Sequence, residues 1–176
     1  MNGKPVILLP VKTVLNLKSG FAAKLLCDGP ALALGDACAY SCAFCYVPSV
    51  YQKLDRVRLA LAERGVKHED VVIQRKDAIE VLRGQLLHPD GSPRFPDPED
   101  RRVVYASPAD DVAANMDLAW QTVEACKLIL VHTNWQIRLL SKSTFLPQIA
   151  AMLADWSNST AARPDVYVRV IFGVST

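Results

Sequence analysis

Three cysteines, Cys38, Cys42 and Cys45, fall within eight residues, in the segment Gly35-Asp36-Ala37-Cys38-Ala39-Tyr40-Ser41-Cys42-Ala43-Phe44-Cys45-Tyr46. The spacing is C-x3-C-x2-C. Thiolates are soft ligands suited to iron–sulfur clusters and zinc. Three of them on one tight loop can each hold a corner of a cubane cluster and leave one iron without a protein ligand. An open metal position is what separates a catalytic site from a closed structural one. A fourth thiolate would close the site as zinc or as an electron-transfer cluster, and Cys27 and Cys126 are the two remaining cysteines. Cys27 could fold back onto the loop, whereas Cys126 sits inside a helical pattern and reads as a small core residue. An odd total of five cysteines, three of them clustered, argues against a secreted disulfide framework and for metal chemistry in a reducing compartment.

The elements that must position this loop follow from periodicity. Residues 1–30 read as an irregular or partly extended lead-in, and residues 31–176 as the core. Ala31–Gly35 is consistent with a first strand. One helix is expected over Pro48–Arg64, stopped by Gly65, and a second over Lys76–Leu87. His88–Asp100 is rich in proline and demands a loop. Strands are expected at Val103–Ser107, Gln136–Leu140 and Val166–Val174. Helices are expected at Asp117–Leu130 and Thr144–Trp156, the latter with Ser143 or Thr144 as N-cap. Strands alternating with helices imply parallel βαβ units, whose active sites form at the carboxyl ends of the strands. Three segments lie at such ends: the cysteine loop, Ser107–Asp111 and Ser141–Thr144. A plainer role for Ser107, Asp110 and Asp111 is to make a turn and cap the next helix. Tyr105 reads as a buried strand tyrosine. His68, His88 and His132 are scattered and read as solvated side chains rather than ligands.

Composition sets the frame. The 176 residues are 51% hydrophobic and 22% charged, as in globular chains. A formal charge of +2 makes no case for nucleic acid. No apolar run is long enough to span a membrane, and Val6–Leu9 is too short for a signal-peptide core, so the cytoplasm is the expected location.

The cysteine motif, with an aromatic before its last cysteine and Tyr46 after it, resembles the signature of radical S-adenosylmethionine (SAM) enzymes. Within that superfamily, the stretch from Ser19-Gly20-Phe21 to Cys45-Tyr46 is similar to the spore photoproduct lyase-like branch. Leu139-Leu140-Ser141-Lys142-Ser143 likewise resembles that branch's third-strand ending, hydrophobic-hydrophobic-Thr-Lys-Ser. The resemblance implies an α/β partial barrel with about four parallel strands present and helices outside. It implies a [4Fe-4S] cluster on Cys38, Cys42 and Cys45, with SAM on the open iron. Reductive cleavage of SAM would then yield a 5′-deoxyadenosyl radical for hydrogen abstraction. Cofactor contacts are implied for Phe44, Tyr46, Ser107, Asp110, Lys142 and Ser175, with Lys142 reaching the SAM carboxylate and Ser107 or Asp110 the amino group.

The sequence also departs from the branch. Phe44 replaces a tyrosine, and Gly173 a serine near the chain end. Photoproduct lyases carry a hydrogen-donating cysteine close before the serine of the second strand, and here Tyr105 is the only candidate for that role. Thymine-dimer repair is therefore not the expectation. The substrate is left open, with nucleic acid one candidate, and an external electron donor is the expected partner. The last strand would lack a neighbour, so either a missing C-terminal part or self-association is expected to cover it. The alternatives are a non-catalytic zinc or iron–sulfur module, or a truncated scaffold paralogue.

Overall fold

In the computed structural model, which describes residues 3–20, 29–40, 42–43, 45–159 and 166–174, alternation of buried and exposed positions first sets in at β1 (Val6–Pro10). Ile7 and Leu9 point into the protein, and Val6 and Leu8 point out. β1 runs parallel to β4 (Val72–Lys76), with Val6 opposite Val72 and Pro10 opposite Lys76. The sequence reading had no strand at β4 and started the following helix too early, at Lys76. The run Val71-Val72-Ile73 is buried and β-branched, which favours a strand.

A second sheet has the order β2-β3-β5-β6-β7, built from Leu15–Asn16, Ala31–Leu32, Val103–Ala106, Gln136–Ser141 and Val170–Val174. β2 is antiparallel to β3, and the other four strands are mutually parallel. The chain is thus a mixed α/β protein with parallel strands, and its described residues form no closed barrel. The expected first strand over Ala31–Gly35 is only Ala31–Leu32, because the chain then turns to pair with β4. Arg75 N–H donates to Leu34 O at 2.8 Å and Asp36 N–H to Ile73 O at 3.1 Å, which ties the two sheets together.

The expected helix over Pro48–Arg64 is two helices, α1 (Val47–Tyr51) and α2 (Asp55–Arg64). Leu54 is extended between them, and half-buried it packs on a neighbouring apolar cluster, so the helix breaks there. Gly65, at φ 60°, ends α2 in the left-handed conformation that glycine adopts without steric cost. α3 (Ala78–Leu86), α4 (Met116–His132) and α5 (Leu146–Ser159) follow β4, β5 and β6 respectively.

The last expected strand is shorter than its β-branched run. Val166–Arg169 is a helical turn, α6, and β7 begins at Val170. The buried guanidinium of Arg169 donates to the carbonyls of Leu130, Thr133 and Trp135, at the end of α4 and just past it. A cation there satisfies carbonyls that a helix leaves without partners.

The main core lies between the large sheet and α3, α4 and α5, with Leu82, Val104, Ile129, Ile137, Ile149 and Leu153 at its centre. Each such side chain contributes about 1.5–3 kcal/mol by leaving water. A smaller cluster, with Ile7, Leu9, Val57, Leu61 and Ile73, lies under the cysteine loop, and Cys38 and Cys45 pack against it. Among the described residues, no helix is long and apolar enough to cross a membrane.

Candidate functional site

Parallel strands place their following loops at one end of the sheet. The loop after β3, the loop after β5 and the end of β6 line one open cleft of about 710 Å³. Its walls include Cys38, Cys42, Cys45, Tyr46, Tyr105, Ser107, Asp110 and Lys142. Apart from Cys126, these are all the residues proposed from sequence for the site that lie within the described part of the chain. Phe44, Ser175 and Cys27 lie outside the described residues. Cys126 is buried within the main core on α4 and does not line the cleft.

Local chemistry holds the cysteine loop in place. Asp36, fully buried, accepts from Arg56 Nη2 at 2.7 Å and Arg75 Nη2 at 2.8 Å, which pins the start of the loop to α2 and β4. Ala37, just before Cys38, sits at φ 64°, a region costly for a residue with a Cβ. Lys4 Nζ donates to Ala39 O at 2.9 Å and also to Glu69 O, so β1's lead-in fastens the loop's far side. Cys45 N–H donates to Cys42 O at 2.9 Å, closing a tight turn between two of the thiols. Tyr46 reaches across the cleft, where its hydroxyl donates to Pro108 O.

The loop after β5 begins with Ser107 at φ 67°, a second strained backbone position at the cleft. Asp111 then accepts from Ala113 N–H at 2.9 Å, Ser141 Oγ–H at 2.6 Å and Lys142 N–H at 2.9 Å. The capping role considered for Asp110 and Asp111 belongs to Asn115, whose side chain accepts from Leu118 N–H at the start of α4. Asp111, Ser141 and Tyr40 also line the cleft; they fall in the three segments expected there, but the sequence reading gave none of them a cofactor role. The Asp110-Asp111 doublet was a visible signal, yet spacing alone does not tell which carboxylate faces which loop.

Two carboxylates and one ammonium group line the cleft. Burial, together with the carboxylates of Asp111 and Asp110, pushes the Cys38 thiol up to about 12. Burial pushes the Asp110 carboxyl up to about 7, with Arg75 opposing and Asp36 reinforcing the shift. Ser107 lies near enough to temper that shift, but neither Asp110 oxygen makes a hydrogen bond of adequate geometry. Burial also raises the Tyr40 and Tyr46 hydroxyls. The Cys38 thiol, kept protonated by burial, would ionise when a metal cation displaces its proton. The donor set therefore fits a cationic guest held by three thiolates. Among the described residues, no three His, Cys, Asp or Glu side chains already converge on one point.

The chain matches no family model, no curated protein and no solved structure.

Proposed function

We propose that this chain is a radical SAM enzyme with a partial (β/α) barrel core, binding a [4Fe-4S] cluster through Cys38, Cys42 and Cys45. The observation that carries the reading is the convergence of three separate segments, nominated from sequence, on one cleft. The charges support it as well. The ionised Asp110 carboxylate, whose oxygens have no hydrogen-bond partner, suits the ammonium of SAM, and Lys142 suits its carboxylate. When bound, the cluster and SAM together supply one-electron cleavage of the sulfonium and hydrogen abstraction. The chain's own part is to supply three thiolates, to orient SAM between the β5 and β6 loops, and to hold the substrate's reacting hydrogen nearby. Tyr105, buried at the end of β5 and lining the cleft, is the side chain positioned to face that substrate.

The test is anaerobic reconstitution followed by iron and sulfide analysis. Cys38→Ala, Cys42→Ala and Cys45→Ala should each abolish cluster loading, and Cys126→Ala should not. Reductant should then release 5′-deoxyadenosine from SAM. Zinc retention with no sulfide would replace the enzyme reading by a structural metal module. Loading that also fails in Cys27→Ala would indicate a closed four-cysteine site.

A further inference from the structure

A second cleft, of about 1140 Å³, opens at the carboxyl ends of the parallel pair β1 and β4. It is lined by Lys12, Thr13, Asn16, Arg56 and Arg75, with Pro10, Val11 and Leu54 completing the wall. Three cations thus share one space, and Asp36 pairs with two of them, Arg56 and Arg75. Arg56 and Arg75 both donate to the same oxygen, Asp36 Oδ1, at 2.7 and 2.8 Å. Asp110 also lies close enough to Arg75 to feel its charge, so three cations face two carboxylates and the cleft keeps a positive excess. Arg75 Nη1 also donates to Thr13 O at 3.0 Å, which orients the guanidinium along the cleft wall. Arg75 Nε and Asp36 Oδ2 are both buried without a hydrogen-bond partner, so this ion pair meets through one Asp36 oxygen only. Lys12 is exposed at the rim, and the Arg56 side chain is 38% exposed, so an incoming anion can reach both.

We propose that this cleft binds a phosphate group, carried either by a free polyphosphate or by a nucleic-acid backbone. Guanidinium forks match phosphate oxygens in geometry, and the rim lysine adds a point charge. The site also lies where parallel strands end, the usual position for ligands in α/β proteins. It uses none of the cysteine-loop ligands, although Arg56 and Arg75 also hold Asp36 at the start of that loop; Lys12 takes no part in that ion pair, so Lys12→Ala separates this proposal from the radical SAM reading.

The full chain should be titrated by calorimetry with inorganic tripolyphosphate, and by fluorescence anisotropy with a short labelled single-stranded oligonucleotide. Wild type is compared with Lys12→Ala and Arg56→Ala. At least one probe should bind saturably, and each variant should weaken it by roughly tenfold or more. Binding of tripolyphosphate alone assigns the phosphate to a free ligand, and binding of the oligonucleotide alone assigns it to a nucleic acid. If Arg56→Ala does not melt cooperatively, the exposed Lys12→Ala carries the test. Absence of binding by both probes, or binding that Lys12→Ala leaves unchanged, overturns the proposal.

Discussion

The Asp111 carboxylate accepts a 2.6 Å hydrogen bond from the hydroxyl of Ser141, joining the loop after β5 to the last residue of β6. Its other oxygen accepts from Lys142 N–H at 2.9 Å, so one buried side chain sets the direction in which Lys142 leaves the sheet. Asp111→Ala should therefore destabilise the protein by about 1.5–3 kcal/mol, the range for hydrogen bonds to a charged group. Chemical denaturation reads this directly. Stability equal to wild type would mean that the two loops are held by other contacts.

Lys142 lines the cleft beside Ser141. If its ammonium pairs with a ligand carboxylate, Lys142→Ala should weaken SAM binding by about 1.5–3 kcal/mol while iron content stays unchanged. Calorimetry on the reconstituted variant measures the affinity, and iron analysis controls for the cluster. Unaltered SAM affinity removes Lys142 from the site.

Asp110 is the titrating group that burial perturbs most clearly in the cleft, with its carboxyl pushed up to about 7. The folded pKa lies above the unfolded one, so the folded state keeps a proton that the unfolded chain has lost. Its stabilising contribution is complete below about pH 4 and is lost as pH rises through about 7. In the metal-free protein, Asp110→Asn should flatten this part of the stability profile. Melting curves across that range compare the two slopes, and parallel profiles would show that Asp110 does not titrate as described.

Gly35 has no room for a side chain. A Cβ there would come within 2.6 Å of Asp110 Oδ2 and 2.7 Å of Ile73 O. Gly35→Ala should cost about 1–3 kcal/mol, as overpacking does. Asp110→Ala made together with it should relieve only part of that cost, since the Ile73 carbonyl remains. A urea midpoint unchanged by Gly35→Ala alone would show that the loop shifts freely.

β7 pairs with β6 and is the outer strand of its sheet. Within it Val174 is 73% exposed, and Ile171 and Phe172 are also exposed. An apolar edge of this kind promotes strand pairing between molecules. The 176-residue chain should self-associate, and Ile171→Lys should shift it toward monomer in light scattering. A wild-type monomer at all concentrations would mean that the edge is protected.

The clustering of the cysteines was legible because it is local: three thiols within eight residues must share a loop whatever the fold. The alternation of helices with β5, β6 and β7 was legible for a similar reason, since periodicity reports which face each segment buries. β4 escaped that reading because a buried β-branched run beside a helix start carries no clean period. The break between α1 and α2, and the helical turn before β7, came from long-range contacts. Leu54 serves an apolar cluster and Arg169 serves carbonyls at the far end of α4, and neither demand is visible in nearby residues.

By itself, the sequence determined that three cysteines share one loop, and that parallel strands alternating with helices carry it. Only the tertiary structure decided that Asp111 clamps two loops, that Cys126 stays in the core, and that Lys12, Arg56 and Arg75 share one cleft. The physical reason is distance along the chain. Hydrogen bonds and charge clusters between residues dozens of positions apart depend on strand order and register, and these are set by how the whole core packs.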